Sequence, residues 1–265
     1  MAHSAAEAAT ALLCVFLFPG AAGEADAERE DMYIRSISID WNEIGPDSYL
    51  REIDAIRDLD DLSFHKPITF FVGENGSGKS TLLEAIAVAY GFNPEGGTRN
   101  YHFSTRDTHS ELCDAIRLVR NPSKARWGYF LRAESFYNVA TAEEEYAEVS
   151  REYHRKSHGE SFLAVVQDNF NGNGMYLLDE PEAALSPQRQ LTPMLEIIRC
   201  AKRNAQFIIV THSPILLGMP DSEILSFDSG KIHPIEYEDT DSYRITEMFI
   251  RDRKRFLNRL LEDPG

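Results

Sequence analysis

Basic residues are scarce in this chain. Lys and Arg number 27 against 43 Asp and Glu, a formal charge of −16 over 265 residues. That balance argues against a surface built to coat nucleic acid or anionic membrane, while leaving room for a local basic patch. Cysteine is scarcer still. Cys14, Cys113 and Cys200 are the three, far apart and without metal-ligand spacing, which suits a reducing compartment and small buried side chains. Long apolar runs are missing as well. Ala11–Phe18 falls far short of the ~20 residues needed to cross a bilayer, and nothing else approaches that length. With Pro19–Gly23 after it, this run resembles a signal-peptide core and cleavage site. Met1–Thr10, however, contains no Lys or Arg and does contain Glu7. Residues 1 to 30 therefore read as a poorly ordered extension, of the kind an upstream start codon produces, with export as the minority alternative and the cytoplasm as the expected location. No internal repeat and no coiled-coil heptad tract is visible.

What is present is a phosphate-binding loop. Gly73-Glu74-Asn75-Gly76-Ser77-Gly78-Lys79-Ser80, followed by Thr81, fits G-x-x-x-x-G-K-[ST]. It lies between a buried-strand pattern, Ile68–Val72, and a helical pattern, Leu82–Tyr90. Glycines let backbone N–H groups close around phosphate oxygens at a helix N-terminus, where the dipole favours negative charge. Lys79 is placed to reach β- and γ-phosphates, and the Ser80 hydroxyl to ligate Mg²⁺. The chain is expected to bind ATP with Mg²⁺.

The remainder reads as one α/β unit with insertions. Tyr33–Ile39 alternates like a first strand. Ser48–Leu62 is charged and loosely amphipathic, a surface helix or an irregular lead-in. Gly91–Lys124 begins as a polar insertion and recovers strand character near Leu112–Val119. Trp127–Leu131 reads as a strand and Thr141–Tyr153 as an acidic helix. Met175–Leu178 and Phe207–Val210 have the length and composition of buried parallel strands. Ile224–Ile235 reads as a closing hairpin around Asp228-Ser229-Gly230-Lys231. Tyr243–Leu261 reads as one C-terminal helix with Ile245, Phe249, Asp252, Phe256 and Leu260 on a single face. The expected division is an extension over 1–30, an ATPase domain over 31–242 and a C-terminal helix over 243–265.

A second chemical element follows the insertions. Met175–Leu178 runs into Asp179-Glu180-Pro181, so two acids stand at the C-terminal edge of a sheet, where α/β folds bind ligands. Asp179 is the candidate to hold Mg²⁺ and Glu180 the candidate to orient and deprotonate the attacking water.

The order of motifs then becomes specific. The phosphate loop, Ser157-His158-Gly159-Glu160-Ser161, Leu177–Ser186 and Val210-Thr211-His212-Ser213 resemble, in that order, the motifs of ABC-type ATPases. Over roughly Tyr33–Ile235 the chain is most similar to the soluble branch grouped with AAA-family ATPases, related to RecF and the chromosome-maintenance ATPases. That resemblance implies a P-loop head with a mainly parallel central sheet, an antiparallel β region and a short helical subdomain. It implies that Ser157, Gly159 and Glu160 form the signature presented in trans to a partner's γ-phosphate. It also implies that His212 is the switch histidine, Ser186 stands at the D-loop aspartate, and Glu134 is the candidate for the Q-loop position.

The departures point away from a transporter. Lys156–Glu160 replaces LSGGQ, Ser186 replaces aspartate, and Glu134 would replace glutamine. Few residues separate Glu134 from Ser157, leaving no room for a large membrane-docking subdomain or a long coiled-coil arm. Tyr33 and Phe64 are the candidates for stacking on adenine; His102 and His109 read as surface residues. The resemblance implies an ATPase whose two copies sandwich two ATP molecules, acting on an unidentified effector, with DNA repair or defence as a setting. Nucleic acid remains a candidate partner through Arg251–Arg255, although a solvated helix face is the simpler reading. The alternatives are an ABC transporter ATP-binding subunit and a non-hydrolysing nucleotide switch.

Overall fold

The structure, a computed structural model, describes residues 32–99, 110–132 and 158–262. The expected extension over 1–30, the acidic helix over 141–153, and His102 and His109 lie outside the described residues. In chain order the strands are β1 (Ile34–Ile39), β2 (Asp61–Ser63), β3 (Ile68–Val72), β4 (Gly97–Thr98), β5 (Ile116–Arg120), β6 (Trp127–Arg132), β7 (Gly174–Asp179), β8 (Gln206–Val210), β9 (Ser222–Ser226) and β10 (His233–Pro234). The helices are α1 (Asp54–Arg57), α2 (Lys79–Tyr90), α3 (Leu112–Ala115), α4 (His158–Asn169), α5 (Pro187–Ala201), α6 (Pro214–Leu217), α7 (Asp241–Arg251) and α8 (Arg253–Glu262).

Seven strands form a sheet in the order β10-β9-β3-β8-β7-β6-β4, and three form a second sheet in the order β2-β1-β5. From β9 to β6 the large sheet is parallel, with antiparallel β10 and β4 at its edges. The small sheet is wholly antiparallel. This is an α/β fold with the mainly parallel centre and antiparallel β region expected from the sequence.

Both faces of the central strands are covered, and β3 and β8 are buried at every position. Phe71, Leu177, Ile208 and Val210 face a core shared with α2 and the small sheet. Phe70, Leu178, Tyr176 and Ile209 face a second core built with α4 and α5. The two sheets are also stitched by one side chain. Gln206 accepts the Ile34 N–H and donates to the Ile34 carbonyl, both at 2.9 Å, so its amide acts as a stand-in peptide group.

Three sequence expectations change. Leu112–Ala115 is a helical turn and not strand, with Leu112, Cys113 and Ala115 all buried. The strand begins at Ile116. The lead-in over 49–57 is irregular and not merely a surface feature: Leu50 and Ile56 are fully buried. The C-terminal helix is two helices. Asp252 leaves helical geometry at φ −150°, ψ 76°, and its Oδ1 accepts the Arg255 N–H at 3.1 Å. A short acidic side chain that caps the next helix cannot also belong to a continuous face.

Candidate functional site

The phosphate loop leaves β3 at Val72 and enters α2 at Lys79. Its shape rests on neighbours as well as on its own glycines. Gly78 has φ +95°, and a Cβ there would stand 2.6 Å from Ile56 Cδ1 and 2.8 Å from Ile53 Cγ2. The irregular lead-in is therefore the floor beneath the loop, and only glycine fits above it. Lys79 is 5% exposed. Its Nζ donates to the Gly73 carbonyl at 2.7 Å, the Glu74 carbonyl at 2.6 Å and Ser77 Oγ at 3.3 Å. Burial lowers the Lys79 pKa, against the opposing pull of Asp228, Glu180, Asp179 and Glu74. The ammonium is thus folded onto loop carbonyls, which are acceptors that phosphate oxygens can replace.

Strand order sets what meets the loop. Because β3, β8 and β7 are neighbours and run parallel, their C-terminal ends open on the same edge. Ser80 Oγ donates to Asp179 Oδ1 at 2.9 Å, across 99 positions of sequence. A hydroxyl beside a carboxylate is an oxygen donor pair of the kind Mg²⁺ uses, the rest of its shell coming from phosphate and water. Among the described residues no cluster of three or more His, Cys, Asp or Glu is placed to hold a metal.

Glu180 follows at φ +48°, left-handed geometry that non-glycine residues seldom adopt. Its N–H donates to the Val210 carbonyl at 2.9 Å, beyond the last β7–β8 pair. His212 is exposed, and its backbone N–H donates to Glu182 Oε1 at 2.7 Å. Ser213 caps α6 by accepting the Ile215 and Leu216 N–H groups and donates to Gln190 Oε1. Gln190 in turn donates to the Leu185 carbonyl at 3.2 Å. The turn after β8 and the loop after β7 are therefore bonded to each other. Ser186 precedes Pro187 at the start of α5, exposed and without a side-chain capping bond.

Gly73, Glu74, Asn75, Glu180 and His212 line a cleft of about 940 Å³. Asp228, His233, Asp241 and Arg244 also line it. Tyr237 ties the segment after β10 to the turn after β8 by donating its hydroxyl to the Pro214 carbonyl at 2.8 Å. Lys79, Ser80 and Asp179 are not among the lining residues, nor are Gly159 and Glu160. Gly159 and Glu160 sit in the first turn of α4, where a Cβ on Gly159 would stand 2.9 Å from the Ala184 carbonyl. Glu160 lies 3.6 Å from Arg189 in an exposed ion pair. Ser157 and Glu134 lie outside the described residues. Tyr33 and Phe64 are buried in the core, which removes both as adenine-stacking surfaces.

Sequence reasoning missed Glu182, Gln190 and Asp228. Each acts through a side-chain bond to a distant segment, and none belongs to a local pattern. Glu182 alone was within reach, two positions after Glu180.

The sequence matches the family described as an AAA domain over residues 49–191, more than half of the chain. No curated protein matches it. Among solved structures, an ATP-binding cassette of an ABC transporter in its ADP conformation is 17% identical, with 83% of this chain and 99% of that chain covered and a TM-score of 0.47. The SMC head domain from Thermotoga maritima is 16% identical, with 77% and 100% covered and a TM-score of 0.44. Neither likeness reaches the level at which function transfers.

Proposed function

This chain belongs to the AAA domain family, and on that footing we propose that it is a Mg²⁺-dependent ATPase in which two copies close around two ATP molecules. The observation that carries the reading is the 2.9 Å contact between Ser80 and Asp179, which joins the phosphate loop to the acidic strand beside Lys79. Glu180 and His212 share the cleft with the loop.

Each residue then has a task. Lys79 exchanges its loop carbonyls for β- and γ-phosphate oxygens and offsets their charge. Backbone N–H groups of Gly76, Ser77, Gly78, Lys79, Ser80 and Thr81 cradle the phosphates at the start of α2. Ser80 and Asp179 would hold Mg²⁺, which would supply positive charge against the charge developing on the phosphates. Glu180 orients the attacking water and accepts its proton, and His212 contacts the γ-phosphate. Attack is in line, without a covalent intermediate.

A second copy enters because Ser157, Gly159 and Glu160 resemble a signature that is presented to a partner's nucleotide, and the last two stand in the first turn of α4. We assign all three to the partner's nucleotide. Glu134 is assigned to the position beyond β6 that senses the metal site. The ATPase unit spans 31–242, residues 243–265 form a C-terminal helical segment, and the cytoplasm supplies the nucleotide. Closure and opening of the dimer is the output passed to an effector, with DNA repair or defence as the proposed setting.

Light scattering tests this directly. With Mg-ATP, Glu180→Gln should show twice the monomer mass, since nucleotide that is not hydrolysed keeps the dimer populated. Adding Ser157→Arg should return it to monomer. A Glu180→Gln protein that stays monomeric at saturating ATP would leave a single-chain nucleotide switch in place of the sandwich.

A further inference from the structure

The hairpin that closes the large sheet sends one side chain into the phosphate loop. Phe227 N–H donates to the Val72 carbonyl at 2.8 Å, extending the β9–β3 ladder by one residue. That register sets Asp228 against Gly73. Asp228 Oδ1 accepts the Glu74 N–H at 3.0 Å, and Oδ2 accepts the Ser226 hydroxyl at 3.3 Å. Ser226 Oγ also accepts the N–H of Asp228 at 3.2 Å. Since Ser226 is 2% exposed, the carboxylate is anchored from behind as well as in front.

The bond falls on a particular peptide. Gly73 C=O and Glu74 N–H belong to one planar unit. Its oxygen accepts Lys79 Nζ at 2.7 Å, and its N–H reaches Asp228. The unit is held between a cation on one side and an anion on the other. The approach is also close enough to dictate sequence: a Cβ on Gly73 would stand 2.9 Å from Asp228 Oδ1, at φ +138°. The first glycine of the loop motif is thus needed to admit this carboxylate, apart from any need to approach phosphate.

A carboxylate in a cleft that receives a triphosphate repels it. Its task is therefore the bond to the loop backbone, which any oxygen acceptor at that place can make. We propose that Asp228 is a positioning residue for nucleotide binding: it pins the Gly73–Glu74 peptide so that the mouth of the phosphate loop keeps its shape when Lys79 leaves the Gly73 carbonyl for the incoming phosphates. The inference rests on the phosphate loop being the ATP site. It concerns binding and not the chemical step, because Asp228 touches no reacting atom.

The test uses the full chain with Mg-ATP, titration calorimetry and steady-state turnover, and Lys79→Ala as the reference. Asp228→Ala should weaken ATP affinity and raise KM about tenfold, which is ~1.4 kcal/mol at 25 °C, with kcat within about twofold of the parent. Asp228→Asn keeps an amide oxygen able to accept the Glu74 N–H and should recover most of the loss, an outcome that a general packing defect would not give. Ser226→Ala, which loosens the anchor and leaves Asp228 in place, should shift KM in the same direction and carries the test if Asp228→Ala does not fold. Unchanged affinity in Asp228→Ala, no recovery in Asp228→Asn, or a fall in kcat at constant KM would each overturn the proposal. A parent that binds no ATP, or a Lys79→Ala variant that binds as well as the parent, would remove the ATP-site reading itself. Loss of binding in Lys79→Ala alone, with Asp228→Ala unaffected, would remove only the role of Asp228.

Discussion

Replacing Gln206 by Leu tests how the two sheets are joined. Gln206 is 1% exposed and Ile34 is 0% exposed, so neither can turn to water once the pair is broken. Two 2.9 Å hydrogen bonds are lost, each worth about 1 kcal/mol net. Leucine keeps the volume and restores some apolar contact, yet it leaves the Ile34 N–H and carbonyl each short of a buried partner, at about 1–3 kcal/mol per orphaned group. Part of that is recovered by relaxation of β1, so the expected loss is about 2–4 kcal/mol, a large share of the 5–15 kcal/mol typical of a folded domain. Urea unfolding followed by circular dichroism gives the number from the midpoint at constant m. Gln206 opens β8 and His212 lies beyond its other end, so ATP affinity of the folded variant should match the parent. A Gln206→Leu protein within about 0.5 kcal/mol of the parent would show that the side-chain bridge contributes nothing and that core packing alone joins the sheets.

Lys79→Ala should weaken ATP binding by at least tenfold, the worth of one charge-assisted contact, with little change in melting temperature; undiminished affinity in calorimetry refutes the assignment of the loop. Glu180→Gln should retain ATP binding and lose most turnover, because an amide cannot accept the water's proton; phosphate release at the parent rate would mean another base. Burial pushes the Cys113 thiol up to about 12. At pH 8 it should therefore resist iodoacetamide in the native protein and react on unfolding, as read by peptide mass mapping. Between about pH 9 and 12 the unfolded chain releases that proton while the native chain retains it, so stability should fall as pH rises through this window.

The features legible in the sequence were those written in short, contiguous patterns. The phosphate loop with its flanking strand and helix, the apolar runs of β7 and β8, and the hairpin of β9 and β10 each carry their signal within a dozen residues. Leu112–Ala115 misled because a buried helical turn and a buried strand share the same apolar density over four positions. Asp252 misled because its spacing suited the helical face, while its short side chain served the next helix as a cap. Gln190, Gln206 and Asp228 left no trace, and Glu182 only its place two positions after Glu180. Their partners are 23, 172, 154 and 30 positions away, and a polar residue bonded across such a distance looks like any other polar residue until the chain is folded.

The placement of β8 between β3 and β7 also sets a timetable. Ser80 and Asp179 cannot meet until β8, made 27 residues after Asp179, has slotted between their strands. Pairings this far apart in sequence form late, because chain closure must precede the contacts that reward it. On the ribosome the phosphate loop emerges long before the strands that complete its surroundings. Nucleotide that binds only the finished edge stabilises only molecules that have reached it. ATP would then act on the newly made chain as a check on completed assembly, withdrawing finished molecules from the pool still exposed to aggregation and proteolysis.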